Sequence, residues 1–413
     1  MREHMLRKFN GEKFYCGLDL GVQTMKASLV RAQDAENLEL LGVHEVKTVG
    51  IKDSAVSDLN EFSDCIQRAV QGLVHKTGFK VKLLHVGMGG DLVAVRESGA
   101  VIPLLDRGNK VINNQDVKKV KHQARLLGIQ LEEEILHDFP RYFKVDDVNT
   151  AINPVGLYGR KLGANFLLVI TNLTRMRNIA KAINQAGFEL GQVCFSSYAA
   201  SQVALDKKAK TDGVAFIDVG STSTAVLIFT DGILQHIELI PWGGVHVTQS
   251  IAAQLNLALE LAEDIKKSHA VTQKTSTETD EEILVKRETG YMPIKRAGIL
   301  QAIEPEVEKF VGHIQKAIKE SPYYHHLNAG IVMVGGGSLL PGLMERIEET
   351  TNLHVTTGAL TKGLNNSALY AGVIGLAQMS SLSALSHIMA AQTPKHWTVK
   401  LSNSFKELYQ EYF

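Results

Sequence analysis

GVAFIDVGSTSTAVLIF, residues 213–229, reads as a strand, a hydroxyl-rich turn and a second strand. Val214–Val219 is a β-branched, aromatic run, the composition of a buried strand. Asp218-Val219-Gly220 closes it, Ser221–Thr224 make the turn, and Ala225–Phe229 return. Such a strand–turn–strand aims several backbone N–H groups into one concavity, a nest suited to phosphate oxygens. Gly220 removes the Cβ that would hold a ligand off the backbone, and Ser221 and Thr222 extend the turn. Asp218, at the strand end, can orient a hydrated Mg²⁺, which takes one or two carboxylates plus phosphate and water. For a single copy, a plain Asp-x-Gly turn is the competing reading.

The pattern occurs twice. Phe14–Val30, FYCGLDLGVQTMKASLV, is again a strand, Asp19-Leu20-Gly21, a short polar turn and a strand. A third strand follows each copy, Leu38–Val46 and Ile233–Ile240, the second announced by the hairpin signal Asp231-Gly232. A helix comes next in each half, Leu59–Thr77 and His246–Leu255. Each half then has an apolar strand running into glycines: Leu83–Val86 into Gly87-Met88-Gly89-Gly90, and Ile331–Val334 into Gly335-Gly336-Gly337-Ser338. Two βββαβ units with matching Asp-x-Gly hairpins imply two similar domains facing each other across a nucleotide. This is an α/β, ribonuclease H-like plan, the logic of the actin, hexokinase and heat-shock chaperone ATPases.

The remaining candidates belong to this plan. Lys26, seven residues after Asp19, can reach phosphate as a point charge. Glu263 and Lys266 stand one turn apart on a helix expected over Leu259–Ser268, where ribose and base can be gripped; a surface ion pair is the alternative. Gly335, Gly336 and Gly337 leave bare backbone for a base or phosphate. Asp19 and Asp218 are the metal candidates. Gln202, on a linking helix Ser196–Leu205, is a candidate for orienting water.

Asp91–Leu167 reads as an inserted α+β unit. Short strands are expected at Leu92–Val95 and Ala100–Leu104, then a helix over Gln115–Leu127 capped by Asn113 or Asn114, and strands at Ile135–Val145 and Lys161–Ile170. In the second half, Val271–Glu282 is expected as a surface loop and Ile303–Ile318 as an amphipathic helix. Tyr323-Tyr324-His325-His326 lacks a third ligand at metal spacing.

Composition is permissive. The 413 residues suffice for two domains, and Lys+Arg equals Asp+Glu at 44 each, so no global field favours nucleic acid. Three scattered cysteines fit buried thiols in a reducing cytosol rather than disulfides. No apolar run has transmembrane length, and the first residues lack a signal-peptide core.

Several segments resemble the FtsA family of bacterial actin-like cell-division proteins. They are ILHDFPRYFKV (Ile135–Val145) followed by NPVGLYG (Asn153–Gly159), GILQHIELIPWGG (Gly232–Gly244), AEDIK (Ala262–Lys266) and GIVMVGGGSLLPG (Gly330–Gly342). The resemblance spans nearly the whole chain. It implies a duplicated actin-like fold with an inserted 1C (SHS2) subdomain for self-association and partner binding. The implied parts are a first domain over 13–88 and 168–204, the 1C insertion over 89–167, a second domain over 205–255 and 328–360, and an insertion over 256–327. Residues 361–391 return to the first domain, and 392–413 form a linker and amphipathic helix. The implied activity is ATP and Mg²⁺ binding, polymerisation into protofilaments, and linkage of the FtsZ ring and other divisome proteins to the membrane. The implied location is cytoplasmic, peripheral on the inner membrane.

Trp397, Leu401, Phe405, Leu408 and Tyr412 would form one stripe on a helix, the pattern of an interfacial membrane anchor; a helix docked on the protein's own surface is the competing reading. Lys395, Lys400 and Lys406 oppose Glu407 and Glu411, so binding is expected to rest on apolar burial rather than on anionic lipid. One departure bears on catalysis: Ala225 stands seven residues after Asp218, where the family's phosphate segment usually has a second carboxylate. Slow or absent hydrolysis is therefore expected. Two alternatives share the fold: a PilM-type platform binding a membrane partner's peptide, and a phosphotransferase.

Overall fold

The computed structural model describes residues 13–32, 38–52, 55–104, 110–272, 282–287, 290–358 and 367–392. Strands β1 (Lys13–Leu20), β2 (Thr24–Ala32) and β3 (Leu38–Lys47) make an antiparallel meander. Helix α1 (Leu59–Thr77) carries the chain back to β4 (Leu83–Met88), parallel to β1. Asp58 starts α1 by accepting from the Asn60 and Glu61 N–H groups, and Gly78 ends it in a left-handed conformation. Its face of Phe62, Ile66, Val70 and Leu73 is buried on the sheet.

The insertion follows β4. Strands β5 (Ala94–Pro103), β6 (Glu133–Val145) and β7 (Lys161–Asn172) form a sheet in the order β6-β7-β5, with residues 149–151 at the β6 edge. Helix α2 (Asn114–Gly128), capped by Asn113 in a capping box with Asp116, packs on it. The two short strands expected over 92–104 are one strand instead. β7 pairs with β5 from Ala94 to Pro103, and the charges between the two expected strands have partners: Arg96 with Glu133 at 2.8 Å, Glu97 with Arg141 at 2.6 Å. The insertion also reaches the second half, because Arg141 donates to Tyr323 Oη at 2.7 Å.

Helix α3 (Leu173–Gln185) leads to β8 (Glu189–Phe195), parallel to β4. The first sheet reads β3-β2-β1-β4-β8. After helices α4 (Ser196–Ala204) and α5 (Lys207–Asp212) the plan repeats with β9 (Val214–Val219), β10 (Thr224–Thr230) and β11 (Ile233–Ile240). Helices α6 (Gly244–Gln254) and α7 (Leu259–His269), hairpin β12 (Glu282–Arg287) and β13 (Gly290–Lys295), and α8 (Arg296–Lys319) precede β14 (Ile331–Val334). Helix α9 (Leu343–Thr351) and β15 (Val355–Thr357) complete a sheet β11-β10-β9-β14-β15, the same order as the first.

Helix α8 is longer than its sequence signal. It begins at Arg296 and runs through Pro305, because Ile299, Ala302 and Ile303 extend the buried stripe. Pro305 deprives the Gln301 carbonyl of its helical donor, and Gln301 lies on the exposed side. The hairpin β12–β13 was not anticipated: among its described side chains it buries Val285 and Ile294, too short a signal beside its polar neighbours. Much of the loop expected over 271–282 lies outside the described residues, as does the 397–412 stripe.

Helix α10 (Ala371–Gln392) follows the last strand as α4 follows β8; it packs against α4 and on β1. They approach backbone to backbone: a Cβ on Gly375 would collide with the Ala199 carbonyl. Among the described residues, no helix is long and apolar enough to cross a membrane.

Candidate functional site

The two Asp-x-Gly turns face each other across a cleft of about 710 Å³. Asp19 ends β1 and has Lys26 as its cross-strand partner; Asp218 ends β9 and has Ala225. The nucleotide candidates from the sequence line this one cleft: Asp19, Gly21, Lys26, Asp218, Gly220, Ser221, Thr222, Glu263, Lys266, Gly335, Gly336 and Gly337. They come from four separate segments, which only the fold brings together.

Gln202 is the exception. Its amide accepts from Lys210 Nζ at 2.9 Å, and it does not line the cleft. Six residues along a helix from Ser196, it points away from the face that the helix start turns to the turns.

The sequence reading missed the residues that hold the two carboxylates. Ser196 Oγ donates to Asp19 Oδ1 at 2.6 Å, and Ser197 Oγ donates to Asp218 Oδ2 at 2.8 Å. Both serines are buried and line the cleft. A signal existed: Tyr198-Ala199-Ala200 opens α4 and Tyr370-Ala371-Gly372 opens α10, so the duplication extends into the linking helices.

Burial pushes the Asp218 carboxyl above its ordinary range; the Ser197 hydrogen bond and the Lys26 charge oppose this, while the Asp19 charge adds to it. Lys26 itself donates to the Leu369 carbonyl at 2.9 Å. On the second-domain wall, Lys266 pairs with Glu263 at 2.7 Å and donates to the Gly244 carbonyl at 3.0 Å. Burial pushes the Glu263 carboxyl up, but hydrogen bonds from Lys266 and Thr248 and the charges of Lys266 and Lys267 outweigh it, leaving it below its ordinary range. The pair expected either on the surface or at a ligand therefore forms part of the cleft wall.

Gly335 makes the floor possible. It sits at φ +88°, and a Cβ there would meet the Val219 carbonyl and lie 2.7 Å from Asp218 Oδ1. The Ser221 hydroxyl is buried and has no hydrogen-bond partner, a cost of about 1–3 kcal/mol unless something fills it. Chemically the cleft offers two opposed carboxylates, one lysine at the turns, an unsatisfied hydroxyl and glycine backbone. Among the described residues no three His, Cys, Asp or Glu cluster. A cation here would therefore complete its shell with phosphate and water, which is the habit of Mg²⁺.

Comparison with known proteins agrees with this architecture. The family model described as cell division protein FtsA matches residues 215–375, and that of the SHS2 domain inserted in FtsA matches residues 90–170; together they take in more than half of the chain. Cell division protein FtsA of Escherichia coli strain K12 is 25% identical over 415 residues, covering 97% of this chain and 98% of that protein. FtsA of Bacillus subtilis is 27% identical over 348 residues, covering 84% and 78%. FtsA of Buchnera aphidicola is 25% identical over 408 residues, covering 97% and 96%.

The chain belongs to the FtsA family.

It is thus an actin-like cell-division protein with the family's SHS2 insertion. Solved structures show the same fold at low identity. A chain of the PilM–PilN type IV pilus biogenesis complex matches with a TM-score of 0.64 and 14% identity, covering 89% of this chain and 98% of that one. MreB5 of Spiroplasma citri bound to ADP matches with a TM-score of 0.55 and 12% identity, covering 91% and 98%. The actin-like fold is one of nucleotide-binding proteins.

Proposed function

We propose that the cleft binds ATP with Mg²⁺, and that the chain polymerises and links FtsZ and other divisome proteins to the cytoplasmic face of the membrane. The observation that carries the nucleotide reading is the meeting of two Asp-x-Gly turns and one glycine turn around a single cleft. The residues fit the group. The buried Ser221 hydroxyl would gain a partner in a phosphate oxygen, Lys26 would supply a positive charge, and Asp19 and Asp218 would hold the cation. The cation, when bound, neutralises charge shared between the phosphates. Glu263 and Lys266 would grip the sugar and base, and Gly335–Gly337 would offer bare backbone to base or phosphate. Ala225 leaves the second turn without a further carboxylate to hold a metal ion or attacking water, so turnover would be slow or absent.

Membrane attachment is assigned to Trp397, Leu401, Phe405, Leu408 and Tyr412, whose helical stripe suits an interface. The test combines two measurements. Titration of ATP in Mg²⁺ reads nucleotide binding, and absence of binding overturns the site. Sedimentation with neutral and anionic liposomes, for the whole chain and a version ending at Thr393, reads attachment. Equal pelleting of the two versions rejects the anchor.

A further inference from the structure

The start of α4 touches both halves of the cleft through adjacent side chains. Ser196 reaches Asp19 in the first half and Ser197 reaches Asp218 in the second. Room for the first bond is specific, since a Cβ on Gly87 would collide with Ser196 Oγ and lie 3.1 Å from Asp19 Oδ1. The junction carrying the serines is itself held from the insertion. His137 Nε2, on β6, accepts from the Phe195 N–H at 2.9 Å, and its ring lies 5.3 Å from that of Tyr198. The residues before and after the serine pair are therefore both fixed.

We propose that Ser196 and Ser197 are the positioning residues of the cation site: each holds one carboxylate oxygen and so turns the other toward the cation. This rests on the nucleotide reading above. Each serine occupies a single oxygen, and among the described residues no hydrogen bond takes Asp19 Oδ2 or Asp218 Oδ1. Free carboxylates rotate; these cannot without breaking a short hydrogen bond. Because both donors sit on one helical turn, the two carboxylates are set relative to each other by a single rigid element rather than by the two domains separately.

The experiment titrates Mg²⁺ into the full chain with a fluorescent ATP analogue, for the wild type, Ser196→Ala, Ser197→Ala and Ser201→Ala. Ser201 is a buried serine of the same helix that donates to the Tyr198 carbonyl and touches neither aspartate. Removing the partner of a metal-holding group typically weakens metal affinity by about 10- to 100-fold. That loss is expected for Ser196→Ala and Ser197→Ala, with analogue affinity in chelator unchanged and Ser201→Ala like the wild type. Unchanged Mg²⁺ affinity in both serine variants, with the wild type binding normally, overturns the proposal alone. A wild type that binds no analogue overturns the nucleotide reading and this proposal with it. Should an alanine variant lose its cooperative melt, Ser196→Cys or Ser197→Cys, isosteric but a weak donor, replaces it with the same expectation.

Discussion

Asp218 and Ala225 are cross-strand partners at the place where the first half sets Asp19 against Lys26. The duplicated turns thus differ in formal charge: the first sets a lysine opposite its carboxylate, and the second has a carboxylate with no such cation opposite. Lys26 is the lysine of these two turns that faces the cleft, and its charge acts on Asp218 as well. A charge-assisted hydrogen bond is worth about 1.5–3 kcal/mol, so Lys26→Ala should raise the Kd for ATP by about 10- to 100-fold. Isothermal titration checks this, and an unchanged Kd removes Lys26 from phosphate binding.

Gly335→Ala combines a left-handed backbone with a collision against Val219 and Asp218. Gly78→Ala has φ +78° but open space around it. The second should cost about 1–2 kcal/mol, the penalty of that conformation alone, and leave ATP affinity intact. The first should cost more and also weaken ATP binding, because the displaced group is Asp218. Thermal melts with nucleotide titrations distinguish the two, and equal losses would count against the floor of the cleft.

Trp242 is buried against Phe310, with ring centroids 3.9 Å apart, and lines the cleft. The chain has two tryptophans, the other being Trp397. In a Trp397→Phe variant the emission should change on adding ATP, whereas Trp242→Phe should abolish the response. A signal that survives in Trp242→Phe would show that the response arises elsewhere.

Arg141 ties the insertion to the second half through Tyr323. Tyr323→Phe removes this hydrogen bond without emptying space and should lower stability by about 1–3 kcal/mol. Urea unfolding of the whole chain measures it. A midpoint identical to the wild type would mean that the contact contributes nothing to holding the halves.

His85 is buried, and burial lowers its imidazole from its ordinary 6.5 to about 4. The unfolded chain takes up the proton first on acidification. Stability from this group is therefore complete above about pH 6.5 and lost as pH falls toward about 4, amounting to about 3 kcal/mol. Urea midpoints should drop across that window, and less so in His85→Asn. An equal drop in both proteins would assign the acid sensitivity to other groups.

The strands, the turns and their pairing were legible because local rules coincide there: β-branched runs, Asp-x-Gly and hydroxyl turns all point to the same hairpin. The cleft was legible only through repetition, since Asp19 and Asp218 are far apart in the chain and acquire a common purpose only when the halves are superposed. Ser196 and Ser197 were not legible. Serine at a helix start reads as a cap, and nothing local says that its hydroxyl is committed to a carboxylate from another element. The continuity of β5 across Arg96 and Glu97 was hidden for a similar reason: Glu133 and Arg141, which neutralise those charges, lie on a different strand.

The backbone-close crossing of α4 and α10 gives the molecule the mechanics of scissors. With Gly375 seated against Ala199, the crossing is a pivot that admits rotation and resists sliding. Helix α10 spans 22 residues, or about 33 Å at 1.5 Å per residue, against the 9 residues of α4, so one blade is much longer than the other. Any rotation about the pin would therefore carry the far end of α10 much farther than the residues at the crossing.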